Sequence, residues 1–446
     1  MSFITDNQTL QDLNILGKHK AHSFFSMFNR VHTAGGERLL QDMFRHPLDN
    51  AGEITERIVL FRYFRGKALM FPLDHKTLAA AENYLTVFFS TSYIFSAIGF
   101  IHKRVMNSTF RDPRFEQLRS GLYATIDMLQ AIGGFLEQIE DSPLREQVQK
   151  VQIAWKGHTK QWLQSFKDRG ALSFREMVTA HHDLLNVFRK EMAGLLQLIY
   201  LVDVCLAVAA VADERKFCFA AVLPPEPAAS RELYVQQLWH PAIPVPVPNT
   251  MHFNEGQNMV FLTGANMAGK STLMKALGAA VYLAHMGFPV AAEEMRFTVM
   301  DGIFTSINVP DDLDKGYSHF YAEVLRVKTV ATQVAEGKKL VIIFDELFKG
   351  TNVKDAFDAT LAVSDAFAAY RDCFYIISTH IIEAGAELMN RGDNILFRFM
   401  PTEMIGGFPR YPYLLADGIS NDRQGMMIIE KEGILAMLSE LARNPA

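Results

Sequence analysis

The sequence MVFLTGANMAGKSTLMKALGAAVYLAH, residues 259–285, runs from an apolar segment through a glycine-containing loop into a helical segment. Strand, loop and helix in this order, with Gly-Lys-Ser at the end of the loop, form the pattern of a phosphate-binding loop. The loop residues are Gly264, Ala265, Asn266, Met267, Ala268, Gly269, Lys270, Ser271 and Thr272. The glycines allow backbone N–H groups to surround a phosphate, Lys270 neutralises phosphate charge, and Ser271 offers a hydroxyl to Mg²⁺. The stretch therefore predicts a site for ATP and Mg²⁺.

Two further apolar runs end in polar residues that suit the same chemistry. The run 340–344 is typical of a buried strand and is followed by Asp345 and Glu346. Because ligands bind at the C-terminal ends of parallel strands, we expect Asp345 to hold Mg²⁺ through water and Glu346 to polarise the attacking water. The run 376–378 leads to His380. A histidine there is either a structural hydrogen-bonding group or a group that reaches the γ-phosphate.

The chain around these motifs divides into two parts. From residue 259 onward, short apolar runs alternate with helical stretches, which predicts a mostly parallel sheet flanked by helices. Before residue 216, apolar residues recur at helical spacing over 115–139 and 177–212. We therefore predict a multidomain protein with an all-α core and lever domain over 1–216. An α/β P-loop domain follows over 217–446.

Composition excludes several classes of protein. The chain has 446 residues, 49% of them hydrophobic and 21% charged, which excludes a disordered or collagen-like chain. A net charge of −5 gives no whole-chain basic footprint for nucleic acid, although the first 200 residues are net positive and the rest net negative. Three cysteines without CxxC spacing indicate a reducing compartment, so we expect a cytoplasmic protein.

No membrane segment or signal peptide is expected. The N-terminal residues lack a basic stretch followed by an apolar one. The apolar runs 87–101 and 195–212 are shorter than the ~20 residues of a spanning helix, and the second contains Asp203. A charged residue at mid-membrane costs about 3 kcal/mol on insertion scales, so both runs are predicted to be buried helices.

Together these motifs resemble the MutS mismatch-repair ATPase family. TGANMAGKST at 263–272 is similar to the family's TGPNMAGKST, and DELFKGTN at 345–352 is similar to DELGRGTS. Ser378-Thr379-His380 matches the position of the family's ATHxxEL. His240-Pro241, the segment 248–249 and the segment 311–313 also fall where family members carry such residues, and the likeness extends to the segment 9–57.

The resemblance implies an ATPase of the ABC type that works as a dimer. In the family, each nucleotide lies between two subunits, and a serine from one subunit reaches the γ-phosphate bound by the other. The matching segment here is 316–323, which places that role on Ser318. The site would then comprise Lys270, Ser271, Asp345, Glu346 and His380 of one subunit and Ser318 of its partner. ATP binding would draw the helical arms together around DNA.

Departures from the family pattern leave the DNA substrate open. The chain starts at the family's core domain, so we expect a short form without the N-terminal mismatch-binding domain and with a truncated or missing clamp. Phe348 and Lys349 replace the usual Gly-Arg of the dimer-contact loop.

The main hypothesis is an ATP-hydrolysing mismatch-repair protein that binds mismatched or irregular duplex DNA as an ATP-bridged homodimer. The alternative is action on branched recombination intermediates, or recruitment of repair or recombination proteins. A transporter-type ABC ATPase is disfavoured because no Leu-Ser-Gly-Gly-Gln signature occurs.

The basic residues between 101 and 175 could contact DNA but alternate with a similar number of acidic ones. This pattern favours a solvated helix face over a phosphate-binding patch. These basic residues include Lys103, Arg104, Arg111, Arg114, Arg119, Lys156, Lys160, Lys167 and Arg169.

Overall fold

The computed structural model describes residues 3–17, 23–67, 69–87, 114–154, 172–224, 230–307, 319–405, 408–420 and 433–434. The chain divides into two compact units. The sheet unit comprises Met1–Phe24, His46–Thr55 and Arg215–Ala446, and the helical unit comprises Phe25–Arg45 and Glu56–Glu214. The division between Glu214 and Arg215 lies close to the predicted boundary at residue 216, but two earlier segments, Met1–Phe24 and His46–Thr55, also group with the sheet unit.

The described residues form helices and strands in the following order. The helices are α1 (Asn7–Asp12), α2 (Phe24–Phe28), α3 (Ala34–Arg45), α4 (Ala51–Phe64), α5 (His75–Val87), α6 (Arg114–Gln138), α7 (Arg145–Ala154), α8 (Phe174–His182), α9 (Arg189–Glu214), α10 (Lys270–His285), α11 (His319–Ala335), α12 (Val353–Ala368) and α13 (Ile382–Leu388). The strands are β1 (Ala221–Val222), β2 (Glu232–Leu238), β3 (Asn249–Asn254), β4 (Met259–Gly264), β5 (Glu294–Phe297), β6 (Gly302–Ser306), β7 (Leu340–Phe344), β8 (Phe374–Ser378), β9 (Ile395–Met400), β10 (Glu403–Ile405), β11 (Phe408–Arg410) and β12 (Ala416–Asp417).

A six-stranded sheet in the order β12-β9-β4-β8-β7-β6 forms the centre of the sheet unit. Strands β9, β4, β8, β7 and β6 are parallel to one another, and the edge strand β12 runs antiparallel to β9. Strands β4, β7 and β8 are buried along their whole length, as expected for strands covered on both faces. The C-terminal ends of these three strands therefore meet at one edge of the sheet. The other strands among the described residues of the unit form a four-stranded sheet, β1-β5-β2-β3, and the hairpin β10–β11.

The N-terminal segment of the chain packs on the edge strand β6. Ile4 forms a parallel bridge with Gly302, the first residue of that strand. Asp12 is buried and accepts a hydrogen bond from Thr305 Oγ1 at 2.8 Å. These contacts explain why Met1–Phe24 belongs to the sheet unit, although it had been assigned to the helical domain.

In its described part, the helical unit contains helices as its regular elements. The longest are α6 with 25 residues and α9 with 26, in the two regions where long helices were predicted. The helix predicted over 177–212 is not continuous, because a π-helical turn at Asp183–Val187 ends at Phe188, whose φ of −99° and ψ of 18° are not helical. The apolar run 87–101 lies outside the described residues.

Helix α9 is long and apolar enough to span a membrane, the one such helix among the described residues. However, 72% of its most apolar window is buried inside the protein. Asp203, near its middle, is 1% exposed and accepts hydrogen bonds from the backbone N–H groups of His32 at 2.9 Å and Thr33 at 2.8 Å. Such burial is typical of a core helix, as was predicted for 195–212.

Candidate active site

The phosphate-binding loop connects β4 to α10 at the C-terminal edge of the central sheet. Gly264, at the end of β4, has a φ of 138°, and Gly269, before α10, has a φ of 103°. Residues other than glycine rarely adopt these backbone angles. In addition, a Cβ on Gly264 would lie 2.8 Å from the carbonyl oxygen of Met400. The loop therefore requires glycine at both positions. Its curved backbone leads into the N-terminus of α10, where backbone N–H groups can bind a phosphate.

Lys270 is folded over this loop. Its ammonium donates hydrogen bonds to the carbonyl oxygens of Gly264 at 2.8 Å and Ala265 at 3.1 Å. Burial lowers the pKa of Lys270, while the negative charges of Asp345 and Glu346 act in the opposite direction. The lysine thus lies between the loop and the two carboxylates, where its charge can neutralise a phosphate.

Asp345 follows β7 and lies beside the first turn of α10. Ser271 Oγ donates a hydrogen bond to Asp345 Oδ2 at 2.5 Å. Ser378 Oγ, at the end of β8, donates to the other carboxylate oxygen, Oδ1. Both oxygens of Asp345 are therefore held by hydroxyl groups from neighbouring elements.

The oxygens of Ser271 and Asp345 fit a magnesium ion. Mg²⁺ prefers oxygen ligands and, in nucleotide sites, binds one or two protein oxygens together with phosphates and water. No group of three or more His, Cys, Asp and Glu side chains suited to a metal occurs among the described residues. A metal held jointly by this hydroxyl, this carboxylate and a nucleotide is consistent with both observations.

Glu346 lies between two basic side chains at the same edge of the sheet. His380 Nε2 donates to Glu346 Oε1 at 2.7 Å, and Lys349 Nζ lies 3.5 Å from Oε2. The hydrogen bond from His380 is the main cause that lowers the pKa of Glu346 to about 2. The carboxylate is therefore ionised at neutral pH and able to accept a proton. The Glu346 backbone has a φ of 54°, which is uncommon for a residue with a side chain.

A cavity of about 340 Å³ adjoins the phosphate-binding loop. The segment 238–249, the start of α10, Met400 and Tyr413 line it, so most of its wall is apolar or aromatic. Asn249 joins two of its walls, because Asn249 Nδ2 donates to the carbonyl oxygen of Tyr413 at 2.9 Å and Oδ1 accepts from Leu415 N–H at 2.7 Å. The volume of the cavity is in the range of small-molecule pockets.

The structure brings together Lys270, Ser271, Asp345, Glu346 and His380, which the sequence had placed in one site. Ser318 and the family-like segment 311–313 lie outside the described residues. Sequence reasoning assigned no role to the Ser378 hydroxyl or to the cavity. A polar residue at the end of an apolar strand was a usable signal for Ser378. No local pattern marked the cavity, since its walls come from distant parts of the chain.

Comparison with known proteins places these residues in a family context. Residues 260–444 match the protein family described as MutS domain V. The DNA mismatch repair protein MutS of Geobacillus thermodenitrificans is 28% identical over 281 residues, which cover 61% of this chain and 29% of that protein. MutS of Streptococcus uberis is 26% identical over 281 residues, which cover 61% of this chain and 31% of that protein. MutS of Petrotoga mobilis is 32% identical over 158 residues, which cover 34% of this chain and 19% of that protein. The matches thus span less than a third of the length of these curated relatives.

Proposed function

Because the chain belongs to the MutS family, we propose that its sheet unit binds and hydrolyses ATP with Mg²⁺. Lys270 and the backbone of residues 264–272 bind the phosphates, and Glu346 takes a proton from the attacking water. Ser271 and Asp345 would hold Mg²⁺, which supplies neutralisation of phosphate charge. His380 orients the Glu346 carboxylate through their hydrogen bond and would stabilise charge that develops on the γ-phosphate.

The observation that carries this proposal is the contact between Ser271 and Asp345, which are 74 residues apart in the chain. It joins the phosphate-binding loop to the acidic end of another strand at the point where Mg²⁺ is needed. The adjoining apolar cavity supports ATP in particular. A purine ring can pack against its apolar and aromatic wall while the phosphates enter the loop.

We further propose an ATP-bridged homodimer that binds mismatched or otherwise irregular duplex DNA. Family resemblance supports this assembly, in which Ser318 of one subunit completes the site of the other. The relatives named above are DNA mismatch repair proteins, which supports DNA as the partner. Of the basic residues named above for 101–175, Arg119 has a described side chain, and it pairs with Glu116 of the same helix at 2.6 Å.

The proposed ATPase activity is tested by measuring ATP binding and phosphate release with wild-type protein and with Lys270→Ala. Removing a buried charged hydrogen-bond donor costs about 1.5–3 kcal/mol, or roughly 10- to 150-fold in affinity for MgATP. Lys328→Ala is the matched control, because Lys328 is exposed on α11 and should bind ATP like the wild type. Hydrolysis by Lys270→Ala at the wild-type rate would contradict the proposal.

Binding to matched duplex, mismatched duplex and four-way junction DNA, with and without ATP, tests the substrate. We expect tighter binding to the mismatched duplex and a linear fall of log affinity with log salt concentration. Equal affinity for matched and mismatched duplexes would contradict mismatch recognition. Affinity without any salt dependence would contradict DNA binding through phosphates.

A further inference from the structure

Ser378 connects the two acidic residues of the proposed site. It is the last residue of β8, between β4 and β7, and its side chain is fully buried. Its hydroxyl donates to Asp345 Oδ1 and accepts from the backbone N–H of Glu346 at 3.3 Å. The same N–H also donates to the carbonyl oxygen of Ser378 at 3.0 Å. One serine thus contacts both the side chain of Asp345 and the backbone of Glu346.

These contacts restrict the orientation of the Asp345 carboxylate. The terminal torsion of an aspartate is broad, so a carboxylate held at one oxygen can still rotate. Here Ser271 holds Oδ2 and Ser378 holds Oδ1, which defines the plane of the group. Mg²⁺ demands nearly ideal octahedral geometry, and hydrogen bonds to ligating carboxylates orient them for the metal.

The second contact supports the unusual backbone of Glu346. A φ of 54° is costly for a residue with a side chain and persists where surrounding contacts hold it. The Glu346 N–H is satisfied twice by Ser378, which holds this turn directly after β7. An alanine, as in the family sequence ATHxxEL, would keep the backbone contact but would offer no hydroxyl to either acidic residue.

We propose that Ser378 is a positioning residue that raises the affinity of the nucleotide site for Mg²⁺ by orienting Asp345 and the backbone of Glu346. This inference rests on the ATP site proposed above. It assigns Ser378 no contact with the reacting atoms. Its effect should therefore appear in the magnesium dependence of nucleotide binding and leave metal-free nucleotide binding unchanged.

The test compares wild-type protein, Ser378→Ala and Ser378→Cys. A fluorescent ATP analogue is titrated in EDTA and at increasing Mg²⁺ concentrations, and Mn²⁺ binding in the presence of ATP is followed by electron paramagnetic resonance. Cysteine keeps a side chain of similar shape with a weak donor, so it provides a second variant if alanine impairs folding. Ser364→Ala is the matched control, because Ser364 is a buried serine of α12 whose hydroxyl has no hydrogen-bond partner.

For Ser378→Ala we expect the Mg²⁺ concentration at half-saturation to rise about 10-fold, the lower end of measured effects for groups that orient metal ligands. Ser378→Cys should fall between alanine and wild type. Affinity in EDTA should stay within about twofold, and Ser364→Ala should match wild type throughout. An unchanged magnesium dependence, or an equal loss with and without Mg²⁺, would overturn the inference. Failure of the wild type to bind the analogue would instead refute the ATP site itself.

Discussion

Replacement of Glu346 by glutamine separates nucleotide binding from hydrolysis at the proposed site. Glu346 Oε1 accepts from His380 at 2.7 Å, and its pKa is lowered to about 2, so the wild-type side chain is an ionised base at pH 7. Glutamine has the same shape and can still accept from His380, but it cannot take a proton. General-base catalysis contributes about 10²- to 10⁴-fold, so we expect kcat to fall by that factor. MgATP affinity should change little, because Lys270, Ser271 and Asp345 are unaltered.

The assay combines single-turnover ATP hydrolysis with nucleotide binding and light scattering. At saturating MgATP, Glu346→Gln should accumulate as a particle of twice the monomer mass, since the bridging nucleotide is not consumed. Glu336→Gln is the control, because Glu336 is exposed near the end of α11 and contacts Gln333. It should hydrolyse ATP like the wild type.

Two results would refute different parts of this reasoning. A kcat for Glu346→Gln within tenfold of the wild type would show that Glu346 is not the base, since even the lower bound for a general base is about 10²-fold. A mass that stays monomeric at saturating MgATP, with ATP bound, would exclude the ATP-bridged dimer and leave the single-subunit site intact.

Two further predictions concern stability. Asp203→Asn should lower the free energy of unfolding by about 2–3 kcal/mol, because an amide group must face the donors of His32 and Thr33. The control is Asp213→Asn on the same helix, which loses an exposed pair with Arg65 and should cost under about 1 kcal/mol. Urea unfolding measures both. Asp6→Asn should destabilise the protein at neutral pH. Its difference in stability from wild type, measured by thermal melts, should shrink as the pH falls below 3.8, the ordinary pKa of the carboxyl.

The pH prediction for Asp6 follows from its pairing with Arg326. Burial raises the pKa of Asp6, but the hydrogen bond and charge of Arg326, together with hydrogen bonds to Thr9, outweigh it, so the pKa is lower in the folded protein. A lowered pKa means stability that is present above the unfolded pKa and lost as the pH falls through the folded one. A difference between Asp6→Asn and wild type that is constant from neutral to acidic pH would contradict the ion pair. Equal costs for Asp203→Asn and Asp213→Asn would contradict the buried network.

The sequence by itself determined the parts of this protein that depend on neighbouring residues. The phosphate-binding loop is contiguous, and its glycines are needed for local backbone angles, so residues 264–272 could be assigned directly. The pair Asp345-Glu346 follows an apolar run long enough to be recognised as a strand. The long helices in 114–214 follow from helical spacing alone, although the π-helical turn at Asp183–Val187 had no local signal.

Only the tertiary structure decided which of these parts touch. The order β4-β8-β7 places the end of β8 between the loop strand and the acidic strand, and so puts Ser378 against Asp345. The N-terminal segment likewise packs on β6, almost 300 residues away along the chain, as the contact of Thr305 with Asp12 shows. Strand order and docking of a segment depend on burial summed over many distant contacts, and spacing within a single stretch of sequence carries no record of that sum.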